Sequence, residues 1–254
     1  MEDMTIPEKP WTNRQIRELR HVIAEGGDSI DGLSYPQVSV WYGDMLAEIT
    51  ERVEHMDLSG LDARDVRVSS RVKTIETLRD KLKRDPAMQI PRVRDIMGVR
   101  IAAYMTLGTQ DGIVDRLAAI LPVFKVSDMR SQPHSGYRAV HVILKLGNGV
   151  FCEVQVRTML QDSWANCYEL AGDIYGRGIR YGGGPDHEDG GIVGMLLGMS
   201  GSVRSVEESV NAMGFTGISR ICVNGMSDTL HSAWRLLYDN RDALKSGRPI
   251  LPSE

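Results

Sequence analysis

The sequence is poor in cysteine, phenylalanine and long apolar runs, and each scarcity removes a class of protein. Three cysteines in 254 residues, Cys152, Cys167 and Cys222, are odd in number and far apart. That pattern excludes both a disulfide framework and a zinc-binding spacing, and the three read as buried reduced thiols. No apolar stretch approaches the roughly 20 residues that cross a bilayer, and the opening MEDMTIPEKPW lacks the apolar centre of a secretory signal. The expectation is a cytoplasmic chain with no membrane partner. A net charge of −4 gives no global attraction to nucleic acid, so phosphate-binding groups must be sought in local clusters. Apolar residues at 42% and charged residues at 25% are globular values and exclude disorder and fibrous repeats.

Apolar periodicity predicts amphipathic helices over 12–25 and 36–57, separated by a turn at Gly26 to Ser29. A strand over 66–72 runs into a helix over 74–84, where Ile75, Leu78 and Leu82 fall at helical spacing. Strands follow at 99–104, 122–126, 138–146 and 150–156, with a helix at 110–120; the last two strands read as a hairpin closed by Gly147-Asn148-Gly149. A helix over 159–175, a glycine-rich loop over 176–190, and helices over 192–213 and 228–244 complete the chain. This order predicts an α+β fold, a mixed sheet flanked by helices, divided as an N-terminal helical segment (1–60), a core (61–182) and a C-terminal helical extension (183–254). The stripe Ile192, Leu196, Met199 and Val203 suits either contact with a second copy or cover for its own chain.

Four clusters carry chemistry. Arg71, Lys73, Arg79, Lys81, Lys83 and Arg84 place six cations within fourteen residues at a strand-to-helix junction. Lys73, Thr77 and Lys81 are spaced by four and share a helix face, so they could line a row of phosphates; the competing explanation is a solvated face. Asp95-Ile-Met-Gly-Val-Arg100 sets a hard oxygen ligand before an apolar strand, suited to magnesium, where a plain turn would also explain Asp95 and Gly98. In Glu153-Val-Gln-Val-Arg157-Thr158 the alternation puts Glu153, Gln155 and Arg157 on one face, which could serve a cation, a hydroxyl and a phosphate, or be a strand with one wet face. Ser135-Gly136-Tyr137-Arg138-Ala139-Val140-His141 offers a close backbone approach at Gly136 and an aromatic surface at Tyr137.

In this order the motifs R-x-K-x3-T-x3-K, DIMGVR, GYRAVH and EVQVRT resemble the synthetase domain of the RelA/SpoT family, particularly its small alarmone synthetases, over about residues 71–181. The resemblance implies a nucleotidyltransferase-like mixed sheet and transfer of the β,γ-pyrophosphate of ATP, with magnesium, to the 3′-hydroxyl of GDP or GTP. It implies that Arg71, Lys73, Thr77 and Lys81 hold the ATP phosphates, Arg71 also lying against adenine. Asp95 would ligand magnesium, Glu153 would complete the metal site or take the hydroxyl proton, and Tyr137 would stack on the acceptor base. Arg100 would support the donor side; Arg138, His141, Gln155 and Arg157 would support the acceptor side.

The sequence departs from the family at Pro133-His134-Ser135, where a Pro-Lys-x-Asn is usual, and at Tyr168-Glu169, where Glu-His is usual. An acceptor-side lysine is thereby missing. This leaves open a second acceptor, the 3′-terminal adenosine of tRNA, as in toxic members of the family, with Arg130 and Arg138 as cations for the RNA and an antitoxin as partner. A third reading is an inactive nucleotide-binding module, and small synthetases of the family often assemble as homo-oligomers. No hydrolase motif precedes the core, so no alarmone hydrolysis is expected.

Overall fold

The computed structural model describes residues 6–248; the ends of the first and last segments, 1–5 and 249–254, lie outside them. Thr12 caps helix α1 (Asn13–Glu25) through a reciprocal capping box with Gln15, and Gly26, at φ +111°, ends it in the left-handed conformation that glycine reaches without strain. A two-stranded ribbon, β1 (Ser29–Ile30) and β2 (Leu33–Ser34), leads into helix α2 (Tyr35–Glu54). The ribbon is too short to leave a periodic trace in the sequence.

The central sheet comprises β3 (Arg64–Val72), β4 (Met97–Tyr104), β5 (Val123–Asp128), β6 (Val140–Lys145) and β7 (Phe151–Thr158), in the order β3-β4-β7-β6-β5. All neighbours are antiparallel except β4 and β7, which run parallel. The β6–β7 hairpin closes as the glycines require: Gly149 takes φ +81°, and the Asn148 side chain accepts from the Val150 amide.

Alternation along the strands makes the sheet two-faced. Val99, Ile101, Val140, Val142, Leu144, Cys152, Val154 and Val156 belong to one core with α1, α2, α3 (Ile75–Arg84) and α4 (Leu107–Ile120). The N-terminal helices therefore share the core of the sheet. The opposite face carries Arg100, His141, Glu153, Gln155 and Arg157. Helix α5 (Met159–Tyr175) borders this face and organises a second core with α6 (Ile192–Met213), α7 (Gly217–Asp239) and α8 (Arg241–Lys245). Leu196 and Val203 are fully buried in that core, with Ile192 and Met199 packed against it, so the stripe covers its own chain.

Two sequence expectations need correction. The helix expected from residue 228 begins at Gly217, where the Thr216 hydroxyl accepts from the Ser219 amide, and breaks at Asn240 before α8; Gly217 and Gly225 mask the periodicity over its first half. Cys222 is exposed, because it falls on the solvent side of α7, while Cys152 and Cys167 are buried. No helix among the described residues is long and apolar enough to cross a membrane.

Candidate active site

The parallel β4–β7 pair fixes the geometry. Gly98 pairs with Glu153 on one side and with Arg71 on the other, so the two side chains flank a position that has none. Asp95 lies two residues before β4, at the same end. Its carboxylate accepts from Lys73 Nζ at 2.8 Å through one oxygen and from Lys81 Nζ at 2.7 Å through the other. Burial pushes the Asp95 carboxyl up, but the two ammonium groups outweigh it and hold it below the ordinary carboxylate range. The expected helix face is not formed as such: Lys73 precedes the Thr74 cap of α3 and its amide still bonds the Ile96 carbonyl, so the end of β3, rather than helical spacing, brings it to Lys81 at Asp95. Thr77 is in the helix, its hydroxyl bonded to the Thr74 carbonyl at 3.0 Å.

Glu153 sits in a closed ring of five side chains. His141 Nδ1 lies 3.0 Å from Glu153 Oε1, and Gln155 Nε2 donates to Oε2 at 2.7 Å. Arg157 Nη2 donates to Gln155 Oε1 at 2.6 Å and to the Tyr137 hydroxyl at 2.9 Å, and that hydroxyl lies 2.8 Å from His141 Nε2. Because Arg157 can only donate, the Tyr137 hydroxyl is free to donate to His141 Nε2, leaving Nδ1–H to donate to Glu153. The network assigns Nδ1–H as the donor to Glu153. Burial raises the Glu153 carboxyl and Asp95 adds repulsion, but His141 and Gln155 prevail and hold it below the usual range.

Helix α5 supplies residues that the motifs did not reveal. Asp162, Asn166 and Glu169, at i, i+4 and i+7, face the sheet. Asp162 bonds Arg157 at 3.0 Å and lies 3.4 Å from Arg100, whose Nη1 donates to Asn166 at 3.1 Å. Glu169 closes a cleft with Ser69, Arg71, Gly98, Arg100 and Gln155. The helical spacing after Thr158 was the signal, hidden because all three are polar in a helix otherwise read for its apolar face. Arg157, at 1% exposed, is a buried cation whose charge Asp162 balances. Arg71 is exposed and forms no ion pair with any described residue.

Other candidates are spent elsewhere. Arg79 donates to the carbonyls of Ile23, Gly26 and Gly27, where a cation suits the C-terminus of α1. Arg84 lies over the Tyr181 ring at 4.3 Å, and Lys83 is exposed. Arg138 turns from the cleft to donate to Ser200 Oγ at 3.3 Å and to the Arg130 carbonyl. Tyr137 has its hydroxyl in the ring and Arg157 5.0 Å from its ring centroid.

A sequence profile described as the region found in RelA / SpoT proteins matches residues 70–172. An uncharacterized protein of Mycobacterium tuberculosis is 43% identical over 189 residues, spanning 72% of this chain and 67% of that relative. The chain belongs to the RelA/SpoT family. Small alarmone synthetase 1 of Bacillus subtilis, solved bound to its product pppGpp, shares the fold at a TM-score of 0.57 and 20% identity, over 70% of this chain and 95% of that one. Small alarmone synthetase 2 of the same organism gives 0.55 and 22%, over 70% and 97%. At these identities the likeness is one of fold. Within this RelA/SpoT chain, the Pro133-His134-Ser135 departure forms a tight turn: the Tyr137 amide donates to the His134 carbonyl at 3.0 Å, and Ser135 and Gly136 take φ +49° and +79°.

Proposed function

We propose that the chain transfers the β,γ-pyrophosphate of ATP to the 3′-hydroxyl of a guanosine nucleotide, with magnesium. One observation carries the reading: two carboxylates, Asp95 just before β4 and Glu153 opposite Gly98 on the parallel strand β7, stand at the same end of the sheet beside a cleft lined by Arg71 and Arg100. In-line phosphoryl-type transfer needs little covalent help from a protein beyond positioning and neutralised charge.

The donor set suits magnesium, which takes one or two carboxylates and completes its shell with phosphate oxygens and water. Among the described residues no cluster of three or more His, Cys, Asp or Glu could hold a metal alone, in keeping with a site finished by substrate. Bound there, the ion would neutralise charge on the transferring phosphates. Lys73 and Lys81 pair with Asp95 and keep further donors for phosphate oxygens; Arg71 and Arg100 border the cleft for the rest of the donor. Glu153, ionised at neutral pH, accepts the hydroxyl proton. The 3′-oxygen bonds to the β-phosphorus, the bond from that phosphorus to the α,β-bridging oxygen breaks, and AMP leaves with the bridging oxygen. His141 and Gln155 act as positioning residues for Glu153.

Incubation with γ-labelled ATP, magnesium and GDP, GTP or deacylated tRNA tests the reading. Label is expected on a guanosine nucleotide, falling at least about a hundredfold in Glu153→Gln. Label retained at the wild-type level in that variant would remove Glu153 from the chemistry. The missing acceptor-side lysine favours tRNA as a second acceptor. Against it, Arg130 is bonded to Asp111 and Asp128 at 2.6 and 2.7 Å, and Arg138 is buried.

A further inference from the structure

A second cavity, of about 330 Å³, lies between the β3–β4 edge of the sheet, α5 and α7. On β3 it is lined by Arg67, which alternation places on the same face as Ser69 and Arg71 of the neighbouring cleft. On α5 it is lined by Asn166, whose Oδ1 accepts from Arg100 Nη1 at 3.1 Å. That hydrogen bond joins a residue of one space to a residue of the other. The far wall belongs to α7, where Ser227, His231 and Trp234 recur at i, i+4 and i+7 with Asp228 beside them.

Arg67 and Asp228 line one cavity with opposite charges, yet neither forms an ion pair with the other or with any described residue. This decides what the cavity suits. A phosphate or another plain anion drawn to Arg67 meets Asp228 as a like charge, and a plain cation drawn to Asp228 meets Arg67. A ligand carrying both signs meets neither penalty. Between the charges the wall is apolar, with Met159, Leu230 and the Trp234 ring, and Leu230 is fully buried. Pockets of this size with an apolar lining and a few fixed polar groups are the usual form of a small-molecule site.

We infer that this cavity binds a small zwitterion, an α-amino acid with an apolar side chain. The planar fork of Arg67 takes the carboxylate, Asp228 takes the ammonium group, and the side chain lies against Met159, Leu230 and Trp234. The ligand sits beside Asn166, the partner of Arg100, so its presence bears on the cleft of Arg71 and Arg100. That coupling to the donor nucleotide rests on the transfer reading; the binding itself does not.

Calorimetric titration of the full chain without ATP measures binding apart from chemistry. The titrants are leucine, phenylalanine, N-acetyl-leucine, which lacks the ammonium group, leucinamide, which lacks the carboxylate, and inorganic phosphate. Leucine or phenylalanine is expected to bind, and leucine to exceed both of its analogues by about tenfold or more, one charge-assisted hydrogen bond being lost in each. Arg67→Gln should lower leucine to the affinity of leucinamide, and Asp228→Asn should lower it to that of N-acetyl-leucine. Both side chains are exposed, so circular dichroism should be unchanged in the variants. Failure of the wild type to bind either amino acid overturns the inference, as does equal binding of leucine and its analogues, or unchanged affinity in both variants. Phosphate bound in place of the amino acids, and lost in Arg67→Gln, would overturn it in favour of an anion site. Saturating amino acid should also move the KM for ATP about twofold or more; an unmoved KM with binding intact overturns the coupling alone. Amino acid bound with these losses by a chain that transfers no label would overturn the transfer reading and leave the site standing.

Discussion

Glu153 works through its neighbours. Its carboxyl is pushed up by burial and by Asp95, and His141 and Gln155 reverse the sign. A base that must be ionised gives a rate profile that falls on its acid limb through the base's pKa, here below the ordinary carboxylate range. His141→Phe removes the Nδ1–H donor, hence a lowering influence, so the acid limb should move to higher pH and kcat should fall while the KM for ATP holds. A pH–rate profile of the variant checks this; an unmoved limb would mean that His141 does not tune Glu153. Such tuning was only partly legible. Alternation put Glu153, Gln155 and Arg157 on one face, but the ring closes only because the Pro133–Tyr137 turn swings Tyr137 back to His141 and Arg157. That closure depends on the fold of a loop rather than on spacing.

Among the elements, the C-terminal helices are locked to the catalytic sheet at two points. Gly136 takes φ +79°, and a Cβ there would meet Trp164 at 2.9 Å and Leu197 at 3.1 Å, the Trp164 ring being fully buried. Gly136→Ala should cost about 1–3 kcal/mol in urea unfolding, because the strained backbone and the wedge against α5 add; no loss would mean the helices part easily. The second lock is Glu207 of α6, buried and accepting from Thr158 at the start of α5 and from Gln161 Nε2 at 3.2 Å. Burial pushes its carboxyl up to about 7, from an ordinary 4.5, with Thr158 and Gln161 only partly opposing. The native state then holds a proton that the unfolded chain has released, so stability falls as pH rises from about 4.5 to about 7 and is level above. Glu207→Gln should flatten that slope and be the more stable protein at pH 8, by an amount on the order of 3 kcal/mol. Equilibrium unfolding of both proteins across pH 4–8 checks it, and parallel curves would contradict a buried neutral carboxyl. Neither lock is visible in the sequence: Gly136 reads as a close backbone approach, and Glu207 falls within the helix expected over 192–213, where no motif singles it out.

Over the whole molecule, the elements carrying strong periodicity or a hairpin turn were legible, and the sheet with its donor-side cations followed from them. The order of strands was not. Only the parallel docking of β7 beside β4 brings Asp95 to Glu153, and that pairing joins residues more than fifty apart with no local trace. The resemblance supplied what spacing could not, and the folded chain then sorted the six cations, keeping Lys73 and Lys81 at Asp95 and sending Arg79 to α1. Two faces of one sheet thus divide the labour, an apolar face holding the fold and a polar face holding the chemistry. The central claim is that the group transferred is a pyrophosphate. It is tested most directly by quantifying the adenine nucleotide released as the acceptor is modified, in the presence of magnesium. AMP formed mole for mole with the modified guanosine nucleotide is the expected result; ADP as the coproduct, or an acceptor left unmodified while ATP is consumed, would contradict it.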